Sequence, residues 1–287
     1  MGGSRAQDNR IDPVRAPAAP HPWDQEATQL GGALPPAWLR LAADLHGRLL
    51  DRWRGRLPEG ARVLKTDLFE EALGRHSPLS MIAQAGWRGL GMDIGRRIAV
   101  SARMKLAGET APRLVVTDVR RIGLCAGSVD AVFSNSTLDH FRGRDEIEVA
   151  LRELHRVLRP GGRLVLTLDN PSNPLVRLRN VLPRALSDRL RLTPYDVGAT
   201  LSLAGARAAL LRVGFDVASE GYFMHVPRVW VIRRLRKLRR IGASPEKQRR
   251  TERHALAWEA LGRWPTARWT GHFLYVEARK SVCSEGR

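Results

Sequence analysis

Residues 113–170 read RLVVTDVRRIGLCAGSVDAVFSNSTLDHFRGRDEIEVALRELHRVLRPGGRLVLTLDN, and this stretch decides the fold. RLVVTD (113–118) is a short β-branched apolar run that ends in an acid. VDAVFSN (129–135) is a second run and RLVLTLD (163–169) a third. Between the last two, Ile147, Ala150, Leu151, Leu154, Val157 and Leu158 recur at the spacing of one helical face. Arg159-Pro160-Gly161-Gly162 stops that helix, because neither proline nor glycine continues it. Strands alternating with helix-length segments predict βαβ units in a parallel sheet. Such sheets bind ligands outside the carboxyl ends of their strands. Asp118, Asn135, Ser136, Asp169 and Asn170 all fall at those ends, so the spacing predicts a cofactor site there.

Outward from this core the same alternation continues. Residues 61–65 (ARVLK) predict a first strand and residues 89–93 (GLGMD) a second, with helices over 78–86 and 96–107. After the first strand, Thr66 or Asp67 is placed to cap a helix, with Glu70 or Glu71 completing a capping box. The amino end of that helix would face the ligand. Asp93 ends the second strand, where an acid can accept both hydroxyls of a ribose. Farther on, Ser202 caps a helix that Gly214 ends, and residues 215–225 predict a sixth strand. Trp38, Leu41, Leu45, Leu49 and Trp53 share one face of a helix ahead of the sheet. Residues 1–36, rich in Pro, Ala and Gly without periodicity, predict a disordered tail.

Three pieces taken together carry a family resemblance: MDIG (92–95), VVTDVRRIGLCAGSVDAVFSNSTLDHF (115–141) and LRELHRVLRPGGRLVLTL (151–168). At these residues the chain resembles the class I S-adenosylmethionine-dependent methyltransferases, and within them the small-molecule type 11 branch. The resemblance implies a doubly wound, Rossmann-like α/β sheet of seven strands whose last strand is antiparallel. It implies a methyltransferase-like domain, placed with its preceding helix over residues 37–225, and a last strand with a tail over 269–287; the charge pattern between them predicts a basic helical insertion over 226–268. S-adenosylmethionine is the implied cofactor. Asp93 and Ile94 would meet its ribose, Asp118 and Val119 its adenine, and Thr66, Asp67, Glu71 and Gly74 its methionine part. Asn135 and Ser136 would floor the site, and His140 and Tyr195 would face the acceptor. His140 is the candidate general base, since an unperturbed imidazole titrates near neutrality. The chain departs from the family at its first motif: Lys65 stands where an acid is usual, and the glycines that follow are missing. Ser134-Asn135-Ser136-Thr137 is not the Asn/Asp-Pro-Pro-aromatic motif of enzymes that methylate base or amide nitrogens.

Bulk properties bound the rest. A chain of 287 residues suits one elaborated domain. Cys125 and Cys283 are too few and too distant for a disulfide framework or a metal cluster. No run of about 18 apolar residues exists to cross a membrane. The amino end lacks the apolar core of a signal peptide. These features predict a cytoplasmic protein. Net charge is +19, nearly all of it arginine, which reads as genomic composition as readily as a binding surface.

The charge concentrates in Val226–Arg253. A helical wheel there sets Trp230, Val231, Leu235, Leu238 and Ile241 opposite Arg233, Arg236, Lys237, Arg239 and Arg240. That pattern predicts an interfacial helix on anionic lipid at the inner face of a membrane, with a packed helix bearing a solvated basic face as the competing reading. Nucleic acid is the lesser expectation, because aromatics are not interleaved with the charges as stacking requires. The function expected is methyl transfer to a small-molecule or lipid-like acceptor, on an unspecified atom. Its rivals are a non-catalytic module of the same fold and a membrane- or RNA-associated protein working through the basic region. Oligomeric state is not legible.

Overall fold

The computed structural model describes residues 34–108, 112–182 and 198–282. The prediction for residues 1–33, and the placement of Tyr195, lie outside them. Among the described residues the first helix is α1 (Pro36–Asp51), which precedes β1 (Arg62–Thr66). Two short helices, α2 (Phe69–Leu73) and α3 (Pro78–Gln84), lead to β2 (Arg88–Asp93), α4 (Arg96–Lys105) and β3 (Arg113–Val116). Next come β4 (Val129–Asn135), a 3-10 turn (Leu138–His140), α5 (Arg144–Val157) and β5 (Leu158–Asp169). The second half runs α6 (Pro174–Val181), α7 (Leu203–Val213) and β6 (Phe215–Phe223). A helical connection of α8 (Arg228–Arg240), α9 (Pro245–Ala257), a 3-10 segment (Trp258–Arg263) and α10 (Ala267–Thr270) returns the chain to β7 (Phe273–Lys280).

The seven strands form one sheet in the order β3-β2-β1-β4-β5-β7-β6. β1 to β5 pair in parallel, while β7 lies antiparallel between β5 and β6. The order reverses between β1 and β4, which opens a crevice at their carboxyl ends. Both faces of the sheet are covered. α1, α4 and α8 bury Leu41, Ile98 and Leu235 against Val63, Phe133 and Val165. On the other face α5 and α7 bury Leu151, Leu154 and Leu210 against Val132, Leu164 and Val276. Each such side chain, fully buried, contributes about 1.5–3 kcal/mol over leaving it in water. Glu277 of β7 is wholly buried in this setting and is held by Arg52, Arg56 and Arg163 at 3.1–3.5 Å.

Several local expectations shift. β5 begins at Leu158, directly after α5, because Leu158 pairs with Val129 before the ladder resumes at Arg163 and Ala131. The Pro160-Gly161-Gly162 turn is an irregularity within a strand, with Gly161 at φ 72°. α9 starts at Pro245, where Ser244 accepts the Lys247 amide. Trp269 and Thr270 are helical, and the last strand spans 273–280. The stretch 226–268 is not a separate appendage. Val231, Leu235 and Leu238 of α8 join the core shared with α1, which leaves Trp230 and Ile241 exposed. No helix among the described residues is long and apolar enough to cross a membrane.

Candidate active site

The end of β1 is rebuilt around charge. Lys65 is fully buried, and its ammonium donates to Glu71 Oε2 at 2.9 Å and to the Asp67 carbonyl. Burial alone would lower the Lys65 pKa, but Glu71, Asp67 and Glu70 outweigh it and hold the pKa above its usual value. Glu71 is equally buried, and its second oxygen accepts the Leu79 amide at 3.0 Å. Its place is structural: it anchors the turn to α3. Asp67 adopts φ 65°, a left-handed conformation ordinarily left to glycine. Its carboxylate accepts the Phe69 amide at 2.6 Å, which pins the turn locally. The expected capping box does not form, because Glu70 and Glu71 both reach elsewhere. Thr66 bonds sideways instead, to Ser134 Oγ at 3.1 Å and to Thr137, and so ties β1 to β4 across the crevice. Gly74 ends α2 and lines a surface cleft with Leu39, His76 and Arg239.

That turn lays Leu68 over Asp93. The Asp93 carboxylate accepts the Leu68 amide at 2.8 Å and the Gly95 amide at 2.7 Å, and it is 8% exposed. Burial, and then the charge of Asp67, push its pKa up to about 7. Ile94 is half-buried beside it. Asp118 follows β3, gripped by Arg120 at 2.6–3.1 Å, and Val119 packs into the core. Asn135 is buried at the end of β4, where its amide donates to Glu70 Oε2 at 3.2 Å and accepts from Thr167 at 3.0 Å. Ser136 takes φ 45°, and its hydroxyl is buried with no partner among the described residues. His140 is half-buried in the 3-10 turn; burial raises the nearby Asp67 pKa, against the opposing charges of Lys65 and His140.

Sequence reasoning missed two groups. Glu70 also bonds His46 Nδ1 of α1 at 2.9 Å, which holds the Glu70 pKa down against its burial. The link joins α1 to the crevice. A second network lies at the end of β5. Asp139 accepts the Asp169 amide at 2.9 Å, Arg179 donates to Asp169 Oδ2 at 2.6 Å, and Thr200 donates to the Asp169 carbonyl at 2.7 Å. His272 sits 3.7 Å from Asp169 Oδ1 and accepts from Arg228 at 2.7 Å. Burial and the charge of Asp169 raise the Asp139 pKa far above the usual range. Burial with Arg228 and Arg179 drives His272 far below it. Gly198 docks this side, because a Cβ there would lie 2.1 Å from the Phe141 carbonyl oxygen. The partners span positions 139 to 272, so periodicity could not unite them; only the strand-end position of Asp169 was visible.

The profile of a family described as a methyltransferase domain matches residues 69–166, so the match begins just past the rebuilt turn. Solved structures share the fold. One is an S-adenosylmethionine-dependent methyltransferase from Mesorhizobium loti, with 20% identity over 80% of this chain and 96% of that one, at TM-score 0.52. A methyltransferase from Methanosarcina mazei gives 13% identity over 80% and 96%, at TM-score 0.55. A phosphoethanolamine N-methyltransferase from Haemonchus contortus, solved with S-adenosylmethionine, gives 16% over 83% and 52%, at TM-score 0.55. No curated protein matches in sequence.

The residues present fit the family cofactor. Each Asp93 oxygen accepts one backbone N–H and keeps a lone pair for a ribose hydroxyl. Three carboxyls, Asp67, Glu70 and Glu71, lie around the ammonium of Lys65, with Glu70 also held by His46, and such acids suit a ligand that carries a sulfonium and an α-ammonium. Ser136 Oγ is a buried polar atom still without a partner among the described residues. Strand order and matched segment agree: the chain has the fold of the class I S-adenosylmethionine-dependent methyltransferases, and its residues 69–166 match the methyltransferase domain family.

Proposed function

We propose that this chain transfers a methyl group from S-adenosylmethionine to a small or lipid-like acceptor, and that the acceptor enters beside the β5–β7 end of the crevice. The observation that carries the reading is Asp93, a nearly buried carboxylate that ends β2 and keeps acceptor capacity for a ribose. When bound, the cofactor supplies an electrophilic sulfonium methyl. The chain's own residues bind, orient and exclude water, which is most of what an in-line displacement needs. Asp93 holds the ribose and Asp118 faces the adenine. Asp67 and Glu70 set the negative potential around the methionine part. Asn135, fixed by Glu70 and Thr167, keeps the floor rigid. On the acceptor side the Asp139–Asp169–Arg179 network fixes the wall, and His140 is the residue offered for an acceptor proton.

Calorimetric titration with S-adenosylmethionine and S-adenosylhomocysteine tests this. Both should bind the native protein, and Asp93→Ala should weaken binding about ten- to hundredfold, the worth of hydrogen bonds to a charged group. Undiminished affinity in a folded Asp93→Ala variant removes Asp93 from the site.

A second reading draws on Lys65. The buried Lys65–Glu71 pair occupies the turn that glycines usually leave open, which suits a fold kept for binding alone. Folded protein that takes up neither ligand decides for that reading.

A further inference from the structure

Seven tryptophans lie among the described residues, and their burial divides them by position. Trp38, Trp53 and Trp87 are in the core. Trp230, Trp258, Trp264 and Trp269 are 61%, 48%, 65% and 46% exposed, and all four belong to the connection between β6 and β7. The charge divides in the same way. Residues 226–270 hold thirteen Lys and Arg against three Glu, ten of the chain's nineteen net positive charges in under a sixth of its length. Arginine richness from composition alone would spread evenly, and this charge does not. Two of the three acids are engaged internally: Glu252 pairs with Arg40, and Glu259 accepts the Met224 and His225 amides.

From this surface we propose a docking face for an anionic lipid bilayer, formed by the β6–β7 connection. It does not use the amphipathic stripe of α8, since Val231, Leu235 and Leu238 pack into the core. The contact falls instead to the exposed tryptophans, with Val229 and Ile241 (51% and 62% exposed), and to the arginines around them. Indole rings favour the headgroup level, where an apolar body and an N–H donor are both served. Basic side chains meet the negative surface potential. Nucleic acid shares the charge complement but has no use for exposed aliphatic side chains such as Val229 and Ile241. The face also adjoins the site. Asn170 and Asn173, at the end of β5, donate to the carbonyls of Arg268, Thr270 and Gly271 in this connection. Docking would set the acceptor side of the crevice against the membrane, so the acceptor class is a molecule carried in the bilayer. That last step rests on the methyl-transfer reading; the docking itself does not.

The experiment is co-sedimentation of the full chain with vesicles of phosphatidylcholine, alone or with phosphatidylglycerol, at low and high salt and without cofactor. Binding is expected to the anionic vesicles only, to weaken with salt, and to shift tryptophan emission to the blue. Trp230→Ala with Trp264→Ala, both exposed, should cut partitioning more than tenfold while the melting temperature stays unchanged. No vesicle binding overturns the proposal. So does vesicle binding that ignores the tryptophan pair, or retention of a structured RNA at salt concentrations that abolish vesicle binding. Calorimetry with S-adenosylmethionine is read separately, so the docking face and the methyl-transfer reading fail independently.

Discussion

Asp93 is held by two influences that oppose each other. Burial and Asp67 favour its neutral form, whereas hydroxyl donors from a ribose would favour its charged form. With a pKa near 7 in the free protein, ligand binding below that pH must expel a proton. Affinity for S-adenosylmethionine should therefore be level above about pH 7 and fall up to tenfold for each unit below it. Asp93→Asn should flatten the profile, which titrations at several pH values would read. The same shift has a stability consequence of definite sign. The folded pKa lies above the unfolded value of about 3.9, so the contribution of this group is full below about pH 4 and is lost as pH rises toward 7. Lys65 poses a different test. Lys65→Met leaves the Glu71 carboxylate buried and unpaired, at a cost of about 3–5 kcal/mol. Adding Glu71→Gln should recover most of that loss in urea unfolding, and a neutral Lys65→Met would mean the pair does not hold the turn. Asp93 was legible because strand ends announce themselves in sequence. The pairing of Lys65 with Glu71 was not, because spacing gives no measure of depth.

The helical wheel of α8 picked out Val231, Leu235 and Leu238 but grouped Trp230 and Ile241 with them, and it could not say what the apolar side would meet. Val231, Leu235 and Leu238 follow one another at three- and four-residue steps and face α1, while Trp230 and Ile241 fall to the edge and remain in solvent. Leu235→Ala should cost about 2–5 kcal/mol and lower the melting temperature in a single transition, because α8 shares the core of the sheet. A separate early transition in calorimetry would show instead that the connection is an independent unit. Other elements differed from expectation at their ends rather than in their kind. α5 ends at Val157, ahead of Pro160-Gly161-Gly162, and β5 begins at Leu158, since its first pairing with Val129 is a tertiary fact that no local pattern carries. The α1 helix was visible from its leucine spacing, whereas the contact of His46 with Glu70 comes only from the packing of α1 beside α2.

At the scale of the molecule, alternation of strand and helix revealed the doubly wound sheet, and strand-end acids revealed where its crevice lies. The network at the end of β5 stayed hidden because Asp139, Asp169, Arg179, Arg228 and His272 come together only after the last strand is laid in place. That strand, β7, is the latest of the seven in the chain and yet the neighbour of both β5 and β6. On the ribosome the consequence is a matter of timing. The nascent chain can assemble β1 to β5, and with them Asp93 and Asn135, while β5 still shows an open edge and β6 has nothing to pair with. Open edges invite pairing with other chains. The β2–β4 end of the crevice can thus mature during translation, whereas the β5 end waits for residues 273–280 to emerge, pair with β5 and give β6 its partner.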